Sequence, residues 1–102
     1  DPELVYHGFY AEGYTLPKNT DVESELAMAH KGIFNSSLKR SAITATTDSR
    51  FFGIYQKTPA LVYGPAGERI HAFDEYVSLD SLKNITKVYA KFIQSWCGLS
   101  KL

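Results

Sequence analysis

Two short polar stretches hold the residue types from which a site can be built. The first is Thr46-Thr47-Asp48-Ser49-Arg50, at the end of a β-branched run. In open α/β sheets, ligands bind beyond the carboxyl ends of the strands. A threonine hydroxyl, backbone amides and an arginine fork at such a place suit a carboxylate. The same residues also have a plainer reading, with Asp48 capping a turn and Arg50 in a surface ion pair. The second stretch runs from Tyr63-Gly64-Pro65-Ala66-Gly67 through His71 to Asp74-Glu75. Its glycines allow a ligand to come close to the backbone. A neutral His71 imidazole suits zinc, with a nearby carboxylate or carbonyl fixing its tautomer. A hydrogen-bonded loop histidine is the alternative. His7 and His30 have no ligand-like neighbourhood, and Cys97 reads as a buried, inert thiol. The sequence holds no Gly-x-Ser-x-Gly elbow, no phosphate loop ending in Gly-Lys-Ser/Thr and no His-Glu-x-x-His pair.

The elements that must position these residues follow from pattern. Residues 4–14 are aromatic-rich and partly alternating, which predicts a strand bulged at Gly8. Pro17 breaks it and marks a hinge. Thr20-Asp21-Val22-Glu23 fits a capping box, opening a helix that runs to Lys31 and stops at Gly32. Val22, Leu26 and Ala29 share one face of it. Residues 41–47 and 59–63 read as further strands, while residues 51–55 fit either a short helix or a turn. The last helix is the clearest. Ser78 or Asp80 caps it, Leu79, Leu82, Ile85, Val88, Tyr89, Phe92, Ile93 and Trp96 form one stripe, and Gly98 ends it. The class is α/β, with helices packed on a sheet of parallel neighbours.

Composition narrows the function classes. At 102 residues there is room for one compact domain at most, and 44% hydrophobic content supplies a core. Eleven Lys+Arg balance eleven Asp+Glu, so the broad positive field that captures nucleic acid is absent. One cysteine excludes a disulfide framework or a multi-cysteine zinc knuckle. No apolar run approaches the ~20 residues of a membrane span, and the acidic start lacks the basic region of a secretory signal. A cytoplasmic chain is expected, one that is trimmed, processed or a piece of something longer.

Three blocks together carry a resemblance. They are Ala45-Thr46-Thr47-Asp48-Ser49-Arg50-Phe51-Phe52, then Pro59-Ala60-Leu61-Val62-Tyr63-Gly64-Pro65-Ala66-Gly67, then Ile70-His71-Ala72-Phe73-Asp74-Glu75-Tyr76-Val77. In this order they resemble the C-terminal end of the co-catalytic zinc amidohydrolases that include acetylornithine deacetylase, succinyl-diaminopimelate desuccinylase, aminoacylase and carboxypeptidase G. Gly8-Phe9-Tyr10-Ala11-Glu12-Gly13-Tyr14 is similar to the last strand of that family's lid (dimerisation) domain. The resemblance implies that residues 1–16 are that strand and hinge. Residues 17–102 are then the C-terminal part of a three-layer catalytic domain. It implies that His71 is a metal ligand, that Thr46, Arg50, Gly64 and Gly67 bind substrate, and that Glu75 and Asp48 support them from behind. It further implies two zinc ions per subunit in the full-length enzyme, with cobalt as a substitute, an N-acyl amino acid or small peptide as substrate, and a homodimer.

The family's His-x-Asp motif, bridging aspartate and Glu-Glu general base have no counterpart in this sequence. Zinc takes about four ligands. No catalytic residue is therefore expected in the segment, nor tight metal binding or turnover by the chain alone. The first strand, without lid neighbours, is expected to pair with another copy. The alternative function is a small α/β module binding single-stranded RNA or a protein partner. The zero charge and the lack of a basic-Gly-aromatic strand signature argue against the RNA version.

Overall fold

The computed structural model describes residues 1–100, and positions 101 and 102 of the expected 17–102 unit lie outside them. Its elements are α1 (Asp21–Phe34), α2 (Ser49–Ile54), β1 (Gly67–Glu68), β2 (Tyr76–Val77) and α3 (Leu79–Cys97). The class is α/β, and the sheet is one antiparallel pair in the register Gly67 with Val77 and Glu68 with Tyr76.

The core is the contact between α1 and α3. Leu26 and Ala29 of α1 meet Val88 of α3, and Val88 has no exposed surface. Ile33, Phe34, Leu38, Leu61, Tyr63 and Phe92 pack around them. In the stripe of α3, only Ile85 and Val88 are fully buried; Leu82, Tyr89, Ile93 and Trp96 stay substantially exposed. An amphipathic helix buries only what its neighbours cover, and here one helix does most of the covering.

The α3 termini match the pattern. The Ser81 amide donates to the Ser78 hydroxyl at 3.2 Å, and Gly98 closes the helix at φ 75°. The start of α1 is as expected, but its capping box is not made. Thr20 Oγ1 is buried with no hydrogen-bond partner, and Glu23 instead pairs with Arg40 Nε at 3.0 Å. An ion pair to a neighbouring segment has outcompeted the reach back to the cap. The helix also runs past Gly32. Ile33 and Phe34 continue the apolar face into the core, and Asn35 takes the left-handed stop at φ 52°. Gly32 leaves room for Lys91, whose Nζ lies 2.9 Å from where a Cβ would stand.

The strands expected over 4–14, 41–47 and 59–63 form no ladder among the described residues. A strand is a pairing, and β-propensity without a partner leaves irregular backbone. The parallel neighbours expected from the pattern are likewise replaced by the antiparallel pair. Residues 51–54 resolve to a helix, α2. Cys97, the last residue of α3, is exposed, not buried: the fully covered positions of the helix are Ile85 and Val88, two or more turns earlier.

Candidate functional site

Arg50 is the centre of the arrangement. It sits on the first turn of α2, which is nucleated by Thr47. The Ser49 amide donates to Thr47 Oγ1 at 3.2 Å, and the hydroxyls of Thr47 and Ser49 are hydrogen-bonded. Asp48 occupies the cap position but makes no side-chain cap bond; its carbonyl accepts from the Phe51 amide at 3.1 Å. The half-buried Arg50 guanidinium carbon lies 4.3 Å from the centroid of the Phe51 ring and 5.6 Å from that of Phe9. Such contacts favour a planar cation. Among the described residues Arg50 has no carboxylate partner, so the surface ion pair of the plainer reading is not formed.

Arg50, Thr46, Thr47 and Ser49 face one open groove of about 820 Å³, with Tyr63, Leu61 and Leu26 among its other walls. Thr46 and Arg50 are brought to the same groove. Asp48, Gly64, Gly67, His71 and Glu75 do not line it.

His71 stands on the turn between β1 and β2. The turn is built from left-handed residues, Arg69 at φ 58°, His71 at φ 63° and Asp74 at φ 56°. The Ala72 amide donates to the Arg69 carbonyl at 2.8 Å, and Arg69 and Asp74 form an exposed ion pair at 3.6 Å. His71 and Glu75 are exposed, with no hydrogen-bond partner for the imidazole among the described residues. The hairpin is seated on the start of α3, where the Ala66 amide donates to Ser81 Oγ at 2.7 Å and the Ser78 amide to the Ala66 carbonyl at 2.9 Å. Gly67 has a steric role, because a Cβ there would meet the Tyr76 carbonyl oxygen at 2.7 Å across the pair. Gly64 is surrounded by open space. Glu68 is hydrogen-bonded to Tyr76, which together with desolvation holds the Tyr76 phenol above its ordinary pKa.

Among the described residues no three His, Cys, Asp or Glu side chains come together as a metal set. One exposed imidazole does not fit a zinc centre by itself.

Two groups of contacts were not legible in the sequence. His30, Tyr63 and Tyr89 meet across three elements: His30 Nδ1 lies 2.7 Å from Tyr63 Oη, and the Tyr89 hydroxyl donates to the Tyr63 carbonyl. Burial first, and the neighbouring Tyr89 second, push the Tyr63 phenol above its usual pKa. The spacing of His30 and Phe34, one helical turn apart, is the signal that was available. Tyr14 forms the other group. Its ring fills the space over Gly53, where an added Cβ would lie 2.1 Å from a ring carbon, and its hydroxyl accepts from the Ala60 amide at 3.2 Å. Arg40 Nη2 donates to the Leu16 carbonyl at 2.9 Å.

The Gly53 contact gives a prediction of unusual sign. Glycine to alanine inside a free helix gains about 1 kcal/mol. Gly53→Ala is expected instead to destabilise the chain by about 1–3 kcal/mol, as overpacking against a ring does. Urea unfolding decides it, and a variant as stable as the wild type or more so contradicts the packing.

The fold and the groove are those of an α/β portion with an arginine-bearing pocket. The sequence matches the family model for Peptidase family M20/M25/M40 over residues 6–95. The chain belongs to that peptidase family, a family of metal-dependent hydrolases. No helix among the described residues is long and apolar enough to cross a membrane.

Proposed function

We propose that the chain is the C-terminal part of a metal-dependent hydrolase that cleaves the amide bond of N-acyl amino acids or small peptides, in the manner of acetylornithine deacetylase. The observation that carries this is Arg50, half-buried in an open groove beside Thr46, braced by two aromatic rings and free of any carboxylate among the described residues. A guanidinium held this way is ready for a bidentate carboxylate. Arg50 orients the substrate through its carboxylate, and Thr46 adds a hydroxyl.

In this reading residues 1–16 are the last strand and hinge of a lid domain, and residues 17–102 belong to the catalytic domain. Gly64 and Gly67 keep the adjoining loop slim, and Asp48 and Glu75 support the two stretches. His71 is one donor toward a centre whose other ligands lie outside this sequence. Zinc is the metal proposed, two per subunit in the parent, with cobalt as a substitute. The parent is a homodimer in the cytoplasm, a setting that suits a lone cysteine. The chain by itself binds metal weakly, is inactive, and associates through its first segment. The RNA-binding alternative has the family match and the balanced charge against it.

The test is an NMR titration of the chain with N-acetylalanine and with its methyl ester. The acid is expected to shift the Arg50 Nε–H and the Thr46 amide, and the ester to leave both in place. Equal responses to the two overturn the carboxylate assignment. Turnover of N-acetylalanine, or stoichiometric tight zinc, overturns the assignment of the chain as an inactive part.

A further inference from the structure

One wall of the groove is a stretch of backbone with no ladder of its own among the described residues. Residues 60–66 carry a backbone hydrogen bond near each end, at Ala60 to Tyr14 and at Ala66 to α3. Between those ends the hydrogen bonds recorded among the described residues all go through Tyr63. From α3, the Tyr89 hydroxyl donates to the Tyr63 carbonyl, and the two rings meet edge-on at 5.9 Å. From α1, His30 addresses the side chain. With its proton on Nε2, directed at Ser36 Oγ 3.4 Å away, its Nδ1 accepts from the Tyr63 hydroxyl at 2.7 Å. The imidazole is itself fixed by stacking on Phe34 at 4.7 Å, and it meets the Tyr63 ring edge-on at 5.8 Å.

Tyr63 is a wall of the same groove as Arg50 and Thr46. We propose that His30 is a positioning residue of this site: through Tyr63 it fixes a wall that lines the groove together with Arg50, and so sets the shape of the groove. Its effect on carboxylate binding rests on the reading of the groove given above; its effect on the wall does not. A histidine used only to fill the end of α1 would need the stack on Phe34 and nothing from Tyr63. The hydrogen bond joins α1 to a stretch whose other polar hold at its middle, among the described residues, is the Tyr89 bond from α3.

The experiment uses the 102-residue chain with His30→Phe, His30→Gln, Tyr63→Phe and the double variant His30→Phe/Tyr63→Phe. Phenylalanine keeps the stack and removes the acceptor; the glutamine carbonyl restores an acceptor. Backbone order parameters are read by ¹⁵N relaxation at Leu61, Val62, Tyr63 and Gly64, N-acetylalanine affinity by NMR, and global stability by urea. His30→Phe is expected to lower the order parameters of these amides and weaken N-acetylalanine by about five- to tenfold, the scale of one lost hydrogen bond. His30→Gln is expected to restore both to within about twofold. The double variant is expected to be no worse than Tyr63→Phe alone, as coupled partners require. Unchanged order parameters in His30→Phe, additive losses in the double variant, or a failed glutamine rescue overturns the proposal. If His30→Phe does not fold, Tyr63→Phe and His30→Gln decide by the same readouts. If the wild-type chain ignores N-acetylalanine, the carboxylate reading falls, while the order parameters still decide the placement of His30.

Discussion

Arg50→Ala is expected to abolish discrimination between an N-acyl amino acid and its methyl ester, and to weaken the acid by about 10- to 100-fold. A charge-assisted hydrogen bond contributes about 1.5–3 kcal/mol, and each 1.4 kcal/mol is tenfold in affinity. Arg50→Lys should recover little of this. Lysine keeps the charge, but its ammonium cannot present two parallel donors or lie flat between Phe9 and Phe51. Folding should barely respond, since the guanidinium makes no ion pair among the described residues. The titration with N-acetylalanine checks both variants. Full recovery in Arg50→Lys would mean that a diffuse positive charge suffices and that the ring-braced geometry is irrelevant.

Leu26→Ala is expected to cost about 2–5 kcal/mol, the range for emptying a buried leucine site. Domains of this size hold about 5–15 kcal/mol in total. Among the described residues the buried apolar ones are Leu26, Ala29, Ile85 and Val88, a thin core with little around it to collapse into the gap. The variant should therefore unfold at much lower urea than the wild type. Circular dichroism at 222 nm reads it, and a midpoint within experimental scatter of the wild type would show that α1 and α3 are not the seat of stability. Leu26 also borders the groove, so the partly populated folded form should bind carboxylates less well.

The helices were legible because their information is local. Ser78, the 3.6-residue stripe and Gly98 lie within the segment they specify, and the structure uses all three. The end of α1 was misread by pattern alone. Gly32 looks like a stop, yet burial of Ile33 and Phe34 carries the helix three residues further to Asn35. The capping box failed for a tertiary reason, because Arg40 claims Glu23. The strands failed for a deeper one. Residues 41–47 have the composition of a strand, but a ladder needs a second chain segment at hydrogen-bonding distance, and composition says nothing about whether one is supplied. The site divides in the same way. Thr46 and Arg50 are four positions apart and flank the start of one helix, so their proximity could be read directly. His71 depends on where a seven-residue turn points its exposed ring, and the contacts of His30 and Tyr14 join residues more than thirty positions apart.

Tyr14 ties the front of the chain to two places at once. Its ring rests on the one residue of α2 that has no side chain, its hydroxyl accepts from the Ala60 amide, and Phe9 of the same leading segment faces Arg50. A shift of that leader therefore has to be accommodated at α2 and at residue 60 together, through a single side chain.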